Sequence, residues 1–553
     1  MGFGLWQEIF KETYQRPLIV NKETQAGIKS RLRGRIYTGV VRISWEWICC
    51  RWRSRNRILA KGQSPLPLPC PLIRSYAKAS GFVVFSALII IFLSVDSYGG
   101  DYQQVAGLID LRSTFSDGAY DIETLAGMAK GRGFEVLIIN DHDRVVMEYG
   151  LPPFRNIVKK RVELNSVNKQ GAKAYLDSIS KVQKKFPDMI LIPGSESAAF
   201  YYWTGSYFNK NLTAHNHEKR ILTIGMENPG DYESLPIIHN GATAEYFRIV
   251  LPGILLFLCS LAASVYLIKW GGFYRIMGII VAVLSAAFIA NSNPFRSSPF
   301  DQYHGDQGMA PYQRLVDYVT LRGGLTFWNY PETKSGIGRK GPILVDTPPH
   351  PEVLEESVGY TGFAALYGDN ITVTEPGNAW DRVLTAYCEG TRSRPVWGIS
   401  TADFHEEGGS GEKLGNFPTV FLLREKSRKG VLEALKNGKM YAYRGSFPQF
   451  VRLDEFSVYP PDGINKGFSG DEIVLKESPR IRISLSATVP FENKVKVRLI
   501  RSGELIETFE GTLPMQINYE DKYFQPGRKI YYRMDMSGCG VLVSNPIFVK
   551  FEG

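Results

Sequence analysis

The sequence predicts an α/β protein that is anchored in a membrane and ends in an all-β domain. Three observations predict this: strands alternate with helices, strongly apolar segments interrupt the polar sequence, and short alternating strands fill the C-terminal part. Alternation of strands and helices predicts a parallel sheet covered by helices. Of the 553 residues, 44% are hydrophobic and 22% are charged, which is the composition of a folded protein.

Residues 1–79 form a basic arm, which carries much of the net charge of +10. The arginine-rich runs at 29–35 and 51–57 precede an apolar segment, which we assign to a transmembrane anchor at 80–97. Basic residues before an anchor are cytoplasmic topology signals. A signal-peptide core is the alternative for this segment, but no small-residue cleavage site follows it. We expect no nucleic-acid partner, because the arm shows no defined basic surface.

Two further apolar segments, Ile249–Ile268 and Phe273–Ala290, predict a transmembrane hairpin at residues 248–290. Each is near the length of about 20 residues that crosses a bilayer. The turn between them carries Lys269 and Arg275, which places it in the cytoplasm by the positive-inside rule. Residues 98–247 and 291–553 would then share the extracytoplasmic side of the inner membrane.

Polar residues follow several predicted strands of the soluble part. Asn140-Asp-His-Asp follows the strand Phe134–Ile139, Gly194-Ser-Glu follows Met189–Pro193, and Asp403-Phe-His follows Pro395–Ile399. The carboxyl ends of strands are where barrel and open-sheet enzymes place their sites. We therefore expect a pocket at this edge of the sheet.

The C-terminal residues 449–553 predict a small β-sandwich. Short strands with alternating polarity recur in this part, for example at Ile481–Ser486 and Val495–Ile500, and turns such as Ser502-Gly separate them. This spacing is typical of an immunoglobulin-like sandwich. No catalytic residue is evident in this part.

Five short motifs resemble, in their order and spacing, those of the PHP (polymerase and histidinol phosphatase) family. They are Asp110-Leu-Arg-Ser-Thr, Ser116-Asp-Gly, Asn140-Asp-His-Asp, Gly194-Ser-Glu and Asp403-Phe-His. The resemblance implies a distorted seven-stranded β/α barrel, which the hairpin divides into residues 98–247 and 291–448. It also implies up to three divalent metal ions and hydrolysis of phosphoesters. It favours a bacterial source.

The resemblance implies metal ligands at five positions of this chain: Asp117, His142, Glu196, Asp403 and His405. Asp117, His142 and His405 together correspond to one complete site of the family. Three protein ligands and a water suit zinc or manganese, whereas two carboxylates alone suit magnesium. The expectation is therefore a single divalent ion or none.

Other family ligands are replaced. Arg112 and Thr114 stand where the family has the two histidines of its opening motif, and Tyr330 stands at a later histidine position. Arg220 or the nearby His217 stands at another, with His215 as a further substitute. We expect Arg112 and Arg220 to neutralise buried carboxylates in place of metals, and to bind a phosphate group. The alternative for Arg112 is a side chain that points to solvent.

Two functions remain open at this point. The loss of family ligands favours a pseudoenzyme, that is, a membrane-anchored binding or sensory module with a partly lost metal site. The complete set of Asp117, His142 and His405 favours a divalent-metal-dependent phosphoesterase that acts on a phosphorylated small molecule. In both cases the membrane is a partner.

Overall fold

The computed structural model describes residues 97–98, 102–333, 336–369, 371–408, 413–489 and 494–553. The basic arm at 1–79 and the anchor at 80–97, apart from Ser97, lie outside the described residues. The described chain combines a large curled sheet with helices that pack on it, so the α/β class is confirmed. Two further helices are strongly apolar.

Strands outnumber helices in the described part of the chain. The strands are β1 (Ser97–Tyr98), β2 (Tyr102–Leu111), β3 (Val136–Ile139), β4 (Val146–Gly150), β5 (Lys159–Glu163), β6 (Ile190–Ser197), β7 (Tyr202–Thr204), β8 (Thr213–His215), β9 (Arg220–Ile224), β10 (Leu325–Asn329), β11 (Gly336–Lys340), β12 (Ile343–Thr347), β13 (Gly362–Leu366), β14 (Trp397–Ser400), β15 (Pro418–Leu423), β16 (Met440–Arg444), β17 (Val451–Tyr459), β18 (Gly467–Phe468), β19 (Glu472–Leu475), β20 (Arg480–Ala487), β21 (Lys494–Arg501), β22 (Glu504–Thr512), β23 (Met515–Glu520), β24 (Lys529–Gly538), β25 (Val541–Ser544) and β26 (Ile547–Phe551). The helices are α1 (Ile122–Gly131), α2 (Val167–Gln170), α3 (Ala172–Lys185), α4 (Pro229–Glu233), α5 (Phe247–Trp270), α6 (Gly272–Asn291), α7 (Ala310–Leu321), α8 (Val353–Glu356), α9 (Ala379–Cys388) and α10 (Arg428–Asn437).

The large sheet begins with the path β14-β13-β10-β9-β6-β3-β2 and continues through β15, β16, β25, β24, β21 and β22. Strands β2, β3 and β6 pair in parallel, as do β10, β13 and β14. Strand β9 is antiparallel to both of its neighbours, so the prediction of a parallel sheet is wrong at this strand. Because β9 is reversed, its first residue lies beside the carboxyl ends of β6 and β10.

The sheet curls until the chain after β14 reaches β2. The backbone N–H of Arg112 donates to the carbonyl of Phe404 at 3.0 Å, and the N–H of Phe404 donates to the carbonyl of Asp110 at 3.1 Å. These bonds bring the two ends of the seven-strand path together. The assignment of these seven strands to one distorted barrel stays a prediction.

Helix α1 shows how the sequence specifies the layer outside the sheet. Asp121 caps the helix, since its carboxylate accepts a hydrogen bond from the Thr124 N–H at 2.7 Å. Such a cap contributes about 1 kcal/mol to helix stability. Ile122, Leu125 and Ala129 follow at helical spacing and are buried against the sheet.

Helices α5 and α6 are long and apolar enough to cross a membrane. The shorter helix, α6, has 20 residues, which at 1.5 Å per residue span about 30 Å, the thickness of a bilayer core. Only 6% and 11% of their apolar stretches are buried within the protein. Trp270 and Tyr274 contact each other at the turn between the helices, at a ring distance of 5.3 Å. Aromatic residues of this kind are enriched where helices leave the membrane.

The C-terminal strands share the large sheet and also form a second sheet, in the order β18-β17-β20-β23. Apolar side chains of both sheets make up one buried core, which is separate from the core around the helices. Arg533 on β24 donates to both carboxylate oxygens of Asp381 on α9, at 2.7 and 2.6 Å. This buried pair joins the C-terminal strands to the preceding helical layer. The sandwich and a domain boundary at residue 448 stay predictions.

Candidate functional site

The residues that the sequence singled out lie together at one edge of the curled sheet. Glu196 comes from the chain before the apolar hairpin and Asp403 from the chain after it, yet both contact the guanidinium group of Arg112. Reversal of β9 brings its first residue, Arg220, to the same edge, where its guanidinium lies 3.2 Å from Glu196. The full set brought together is Arg112, Asp117, His142, Glu196, Arg220, Asp403 and His405.

Arg112 occupies the centre of a carboxylate cluster. Its Nη2 atom lies 3.1 Å from Asp110 Oδ1, 2.8 Å from Glu196 Oε2 and 3.1 Å from Asp403 Oδ1. Its Nη1 atom donates to the backbone carbonyl of Asn140. The side chain is 1% exposed, so the alternative in which Arg112 points to solvent is wrong. One cationic nitrogen thus faces three carboxylate oxygens.

The charges of this cluster shift the ionisation of its members. Burial raises the pKa of Glu196, but the guanidinium groups of Arg112 and Arg220 outweigh burial and hold the pKa well below its usual range. Burial also raises the pKa of Asp110 to about 6, and Arg112 opposes this shift without reversing it. Burial lowers the pKa of Arg112, but its carboxylate neighbours raise it well above its usual value. The arginine therefore stays charged.

Asp117 and two imidazoles form a second cluster next to the first. Asp117 Oδ2 lies 3.3 Å from His142 Nε2 and 3.3 Å from His405 Nε2. Burial lowers the pKa of His405, but Asp403 and Asp117 outweigh burial and raise the pKa to about 10. His405 Nδ1 lies 2.7 Å from the Asp403 backbone carbonyl, so this nitrogen donates there. His405 is therefore an imidazolium at neutral pH, and it contacts Asp117 as an ion pair.

His142 connects the two clusters. Its Nδ1 atom lies 3.2 Å from Glu196 Oε2 and 3.0 Å from Arg220 Nη1. The other side of the Arg220 guanidinium donates to Glu218 through Nε at 3.1 Å and Nη2 at 2.8 Å. A continuous chain of charged contacts therefore runs from Glu218 through Arg220 and Glu196 to Arg112.

The nearby histidines have other contacts. His215 pairs with Asp346 at 3.3 Å and accepts or donates a hydrogen bond with Thr204 at 2.7 Å. His217 lies 3.4 Å from Glu218 Oε1. Arg220, rather than His215, therefore occupies the position beside Glu196. The prediction that Arg112 and Arg220 bind a phosphate stays a prediction.

Sequence reasoning missed two polar residues of the cluster, Asp110 and Asn329. The amide of Asn329 donates to Asp110 Oδ2 at 2.9 Å and to Glu196 Oε1 at 2.7 Å. The Tyr330 hydroxyl also donates to Asp110 Oδ2. A signal was present, since Asp110 opens the first motif and Asn329 ends β10. The motif comparison places Tyr330 at a vacant histidine position but predicts no contact for it.

Three residues of the site hold a backbone conformation that favours glycine. The φ angles are 70° at Asp110, 47° at Tyr330 and 48° at Asp403. Side chains other than glycine adopt this left-handed region at a cost of about 1–3 kcal/mol. At Asp110 the pairing of β2 with β3 also shifts register, between Ile109 and Leu111. Such strain concentrates at binding and catalytic sites, and two of these three residues carry carboxylates that contact Arg112.

The turn that carries Asp117 is fixed by a buried carboxylate. Asp141 accepts hydrogen bonds from the Ser113 N–H at 2.7 Å, the Ser113 hydroxyl at 2.6 Å and the Ser116 hydroxyl at 2.5 Å. A Cβ atom at Gly118 would lie 2.2 Å from the Arg112 carbonyl oxygen, so the turn packs directly on the backbone of Arg112. These contacts set the position of Asp117 relative to the carboxylate cluster.

The metal ions that the family resemblance implies do not fit the carboxylate cluster as it is folded. Arg112 Nη2 already lies among the oxygens of Asp110, Glu196 and Asp403. In the described part of the chain, no group of three or more His, Cys, Asp or Glu side chains is arranged to hold a metal ion. Asp117 is nevertheless within 3.3 Å of two imidazole nitrogens.

No protein-family model and no curated protein matches the sequence. Solved structures similar to the chain include two whose descriptions name metal-dependent phosphoesterases. One is a two-domain protein from Bacteroides vulgatus that contains a predicted PHP-like metal-dependent phosphoesterase. It is 12% identical, with 79% of this chain and 91% of that chain covered and a TM-score of 0.32.

Another is a candidate metal-dependent phosphoesterase from Bifidobacterium adolescentis. It is 14% identical, with 56% of this chain and 91% of that chain covered and a TM-score of 0.25. Likeness at these TM-scores does not transfer an activity or a metal to this chain. Its site is therefore interpreted from its own residues.

Proposed function

We propose that this chain is a membrane-anchored binding or sensory module with a PHP-like body, in which an arginine replaces the metal ions of the strand-end pocket. The observation that carries the proposal is the position of Arg112 Nη2, within 3.1 Å of three carboxylate oxygens. Carboxylates that lose a metal need another positive partner or must take up protons. A guanidinium supplies that partner permanently.

The properties of arginine support a binding role over hydrolysis at this cluster. A guanidinium cannot release a proton at physiological pH, so Arg112 cannot act as a general acid or base. It also cannot lower the pKa of a water molecule as a metal does. The carboxylates of Asp110, Glu196 and Asp403 are meanwhile held by hydrogen bonds to Arg112 and Asn329. The cluster is thus a fixed set of carboxylates with a permanent cation at its centre.

The apolar helices α5 and α6 support the membrane-bound part of the proposal. Lys269 at the end of α5 and Arg275 in the first turn of α6 flank the turn between them, and positive residues at a short turn favour the cytoplasmic side. The soluble body, attached to the opposite ends of both helices, would then lie outside the cytoplasm. Fusion of alkaline phosphatase at the C-terminus should give an active enzyme, whereas fusion within the turn should not. The reverse pattern would refute this orientation.

Metal content is the direct test of the proposed pocket. The full chain is purified in detergent, equilibrated with Zn²⁺ or Mn²⁺, passed through a desalting column, and analysed by mass spectrometry for metals. We expect less than one ion per chain for the wild type. Arg112→His should gain a metal, because an imidazole then lies among three carboxylates. Arg382→His, at an exposed arginine paired with Glu355, is the matched control and should gain none.

A second candidate function is a phosphoesterase that uses one divalent ion at Asp117, His142 and His405. The two contacts of 3.3 Å around Asp117 favour it, because ligands of a tetrahedral zinc ion lie about 3.3 Å apart. This candidate requires one ion per chain in the wild type, lost in His142→Ala, and metal-dependent hydrolysis of bis(p-nitrophenyl) phosphate. Those results together would refute the binding-module proposal.

A further inference from the structure

A cavity of about 670 Å³ lies where the apolar hairpin joins the soluble body. Ile249 near the start of α5 and Asn291 at the end of α6 form part of its wall, and the loop between β4 and β5 forms another part. The Asn156 N–H donates to Asn291 Oδ1 at 2.8 Å, and the Asn156 amide donates to the Asn291 carbonyl at 2.6 Å. These bonds hold the loop against the end of the hairpin.

The charge of the cavity is positive. Four cationic side chains line it against two carboxylates, which belong to Glu148 and Asp301. Two of the cations are partly neutralised within the protein, since Lys159 lies 3.1 Å and Arg161 3.9 Å from Glu148. His239 adds no charge at neutral pH, because burial lowers its pKa to about 4. The cavity therefore has an excess of positive charge.

The other two cations, Arg155 and Arg296, have no carboxylate partner within the described part of the chain. The Arg155 guanidinium lies 4.0 Å from the centre of the Tyr303 ring, which holds it at the cavity wall. Arg296 Nε is buried and has no hydrogen-bond acceptor among the described residues. A buried donor without an acceptor is unfavourable unless a ligand or solvent supplies the missing acceptor.

Apolar side chains surround this basic cavity on the side of the hairpin. Ile157 is 48%, Val158 49% and Phe295 56% exposed. All three lie within a few residues of the points where the β4–β5 loop and the chain after α6 meet the hairpin. Exposed apolar groups beside basic ones are the pattern of a surface that contacts lipid headgroups and the upper part of the acyl chains.

We propose that this cavity binds the phosphate of an anionic phospholipid in the leaflet next to the soluble body, with Arg155 and Arg296 as its ligands. The chemistry recognised is a phosphate anion, to which guanidinium donates forked, charge-assisted hydrogen bonds. The position beside two apolar helices selects a lipid as its source. The inference rests on the membrane insertion of the hairpin, which the proposed function includes, and not on the pocket around Arg112.

The test uses the full chain in a mild detergent, with phosphatidylglycerol or phosphatidylcholine added, and lipid retention is measured by native mass spectrometry. We expect preferential retention of phosphatidylglycerol. A basic residue near an anionic surface contributes about 1 kcal/mol, so Arg155→Gln or Arg296→Gln should weaken retention about fivefold and the double variant about twenty-fivefold. Arg528→Gln, the same charge change at an exposed arginine directly before β24, should leave retention unchanged.

Each of the following outcomes would overturn the inference. Equal retention of the two lipids would remove the headgroup site, as would a double variant with wild-type retention. Displacement of phosphatidylglycerol by millimolar inorganic phosphate would identify a soluble phosphate as the ligand instead. The alkaline phosphatase fusion within the hairpin turn reads hairpin insertion separately, because the predicted anchor at 80–97 could hold the chain in the membrane by itself. An active fusion at the turn would refute insertion and this site together, whereas an inactive one without any lipid preference refutes this site alone.

Discussion

Replacing Arg112 with methionine should destabilise the protein by about 3–5 kcal/mol, the usual effect of removing one partner from a buried ion pair. The magnitude follows from the contacts, because one nitrogen faces three carboxylate oxygens at 2.8–3.1 Å and the side chain is 1% exposed. Solvent cannot screen the charges that remain. Asp110 and Glu196 would then repel each other across the emptied position.

The loss of stability caused by Arg112→Met should increase as the pH rises. Without Arg112, the pKa of Asp110 would lie still further above its value in the unfolded state, so stability is lost as the pH rises from about 4 through the folded pKa. In the wild type, Asp110 with its pKa of about 6 already makes the protein less stable as the pH rises towards that value. Glu196, whose pKa is lowered, contributes stability that is lost as the pH falls.

Pulse proteolysis in urea on the detergent-solubilised chain measures both effects. The free energy of unfolding is compared at about pH 5 and about pH 8, where the carboxylates of the variant differ in charge. Arg382→Met is the control, since this arginine is 51% exposed in its pair with Glu355 and should change stability by at most about 1 kcal/mol. If Arg112→Met behaves like the control at both pH values, Arg112 is not the cation that neutralises the cluster.

Other contacts give further predictions. Arg533→Met should lower the free energy of unfolding by about 3–5 kcal/mol, because it leaves Asp381 buried without its cationic partner. The double variant Arg533→Met/Asp381→Leu should regain most of this stability, as measured by urea unfolding. His350 is buried with a pKa lowered to about 4, so it contributes stability that is lost as the pH falls below about 6.5. Thermal unfolding of His350→Phe should therefore depend less on pH between about 6.5 and 4, and an unchanged pH dependence would contradict this. Gly118→Ala should lower the free energy of unfolding by about 1–3 kcal/mol, because its Cβ would lie 2.2 Å from the Arg112 carbonyl oxygen. A midpoint of thermal unfolding equal to that of the wild type would disprove the close packing.

The sequence was sufficient to predict that these residues lie together at one edge of the sheet, because strand ends are easy to recognise. A buried apolar strand such as β3 is easy to locate in the sequence, and the polar residues that follow it identify the edge of the sheet where the strand ends. His142 and Glu196 were identified in this way, and an isolated parallel bridge indeed joins them. Motif order then linked residues that lie on both sides of the apolar hairpin.

The sequence could not show the direction of strands or the partners of side chains. The reversal of β9 is invisible in its apolar pattern, because Arg-Ile-Leu-Thr-Ile is equally buried in either direction. The reversal of β9 nevertheless determines that Arg220 lies beside Glu196. Similarly, Asn329 is a neutral amide after a strand, and only the fold shows that it joins Asp110 to Glu196. The left-handed backbone of Asp110 likewise has no signature in the residue type.

The apolar hairpin leaves the soluble body and returns to it through a single gap. The Asn240 N–H donates to the Ser297 hydroxyl at 3.1 Å, and that hydroxyl donates to the Ile237 carbonyl at 2.7 Å. The chain between these residues is thus a loop whose ends are in contact. The entropic cost of closing such a loop rises only slowly with its length. An apolar hairpin inserted in this way can be lengthened or removed at one surface position while every strand of the sheet keeps its neighbours.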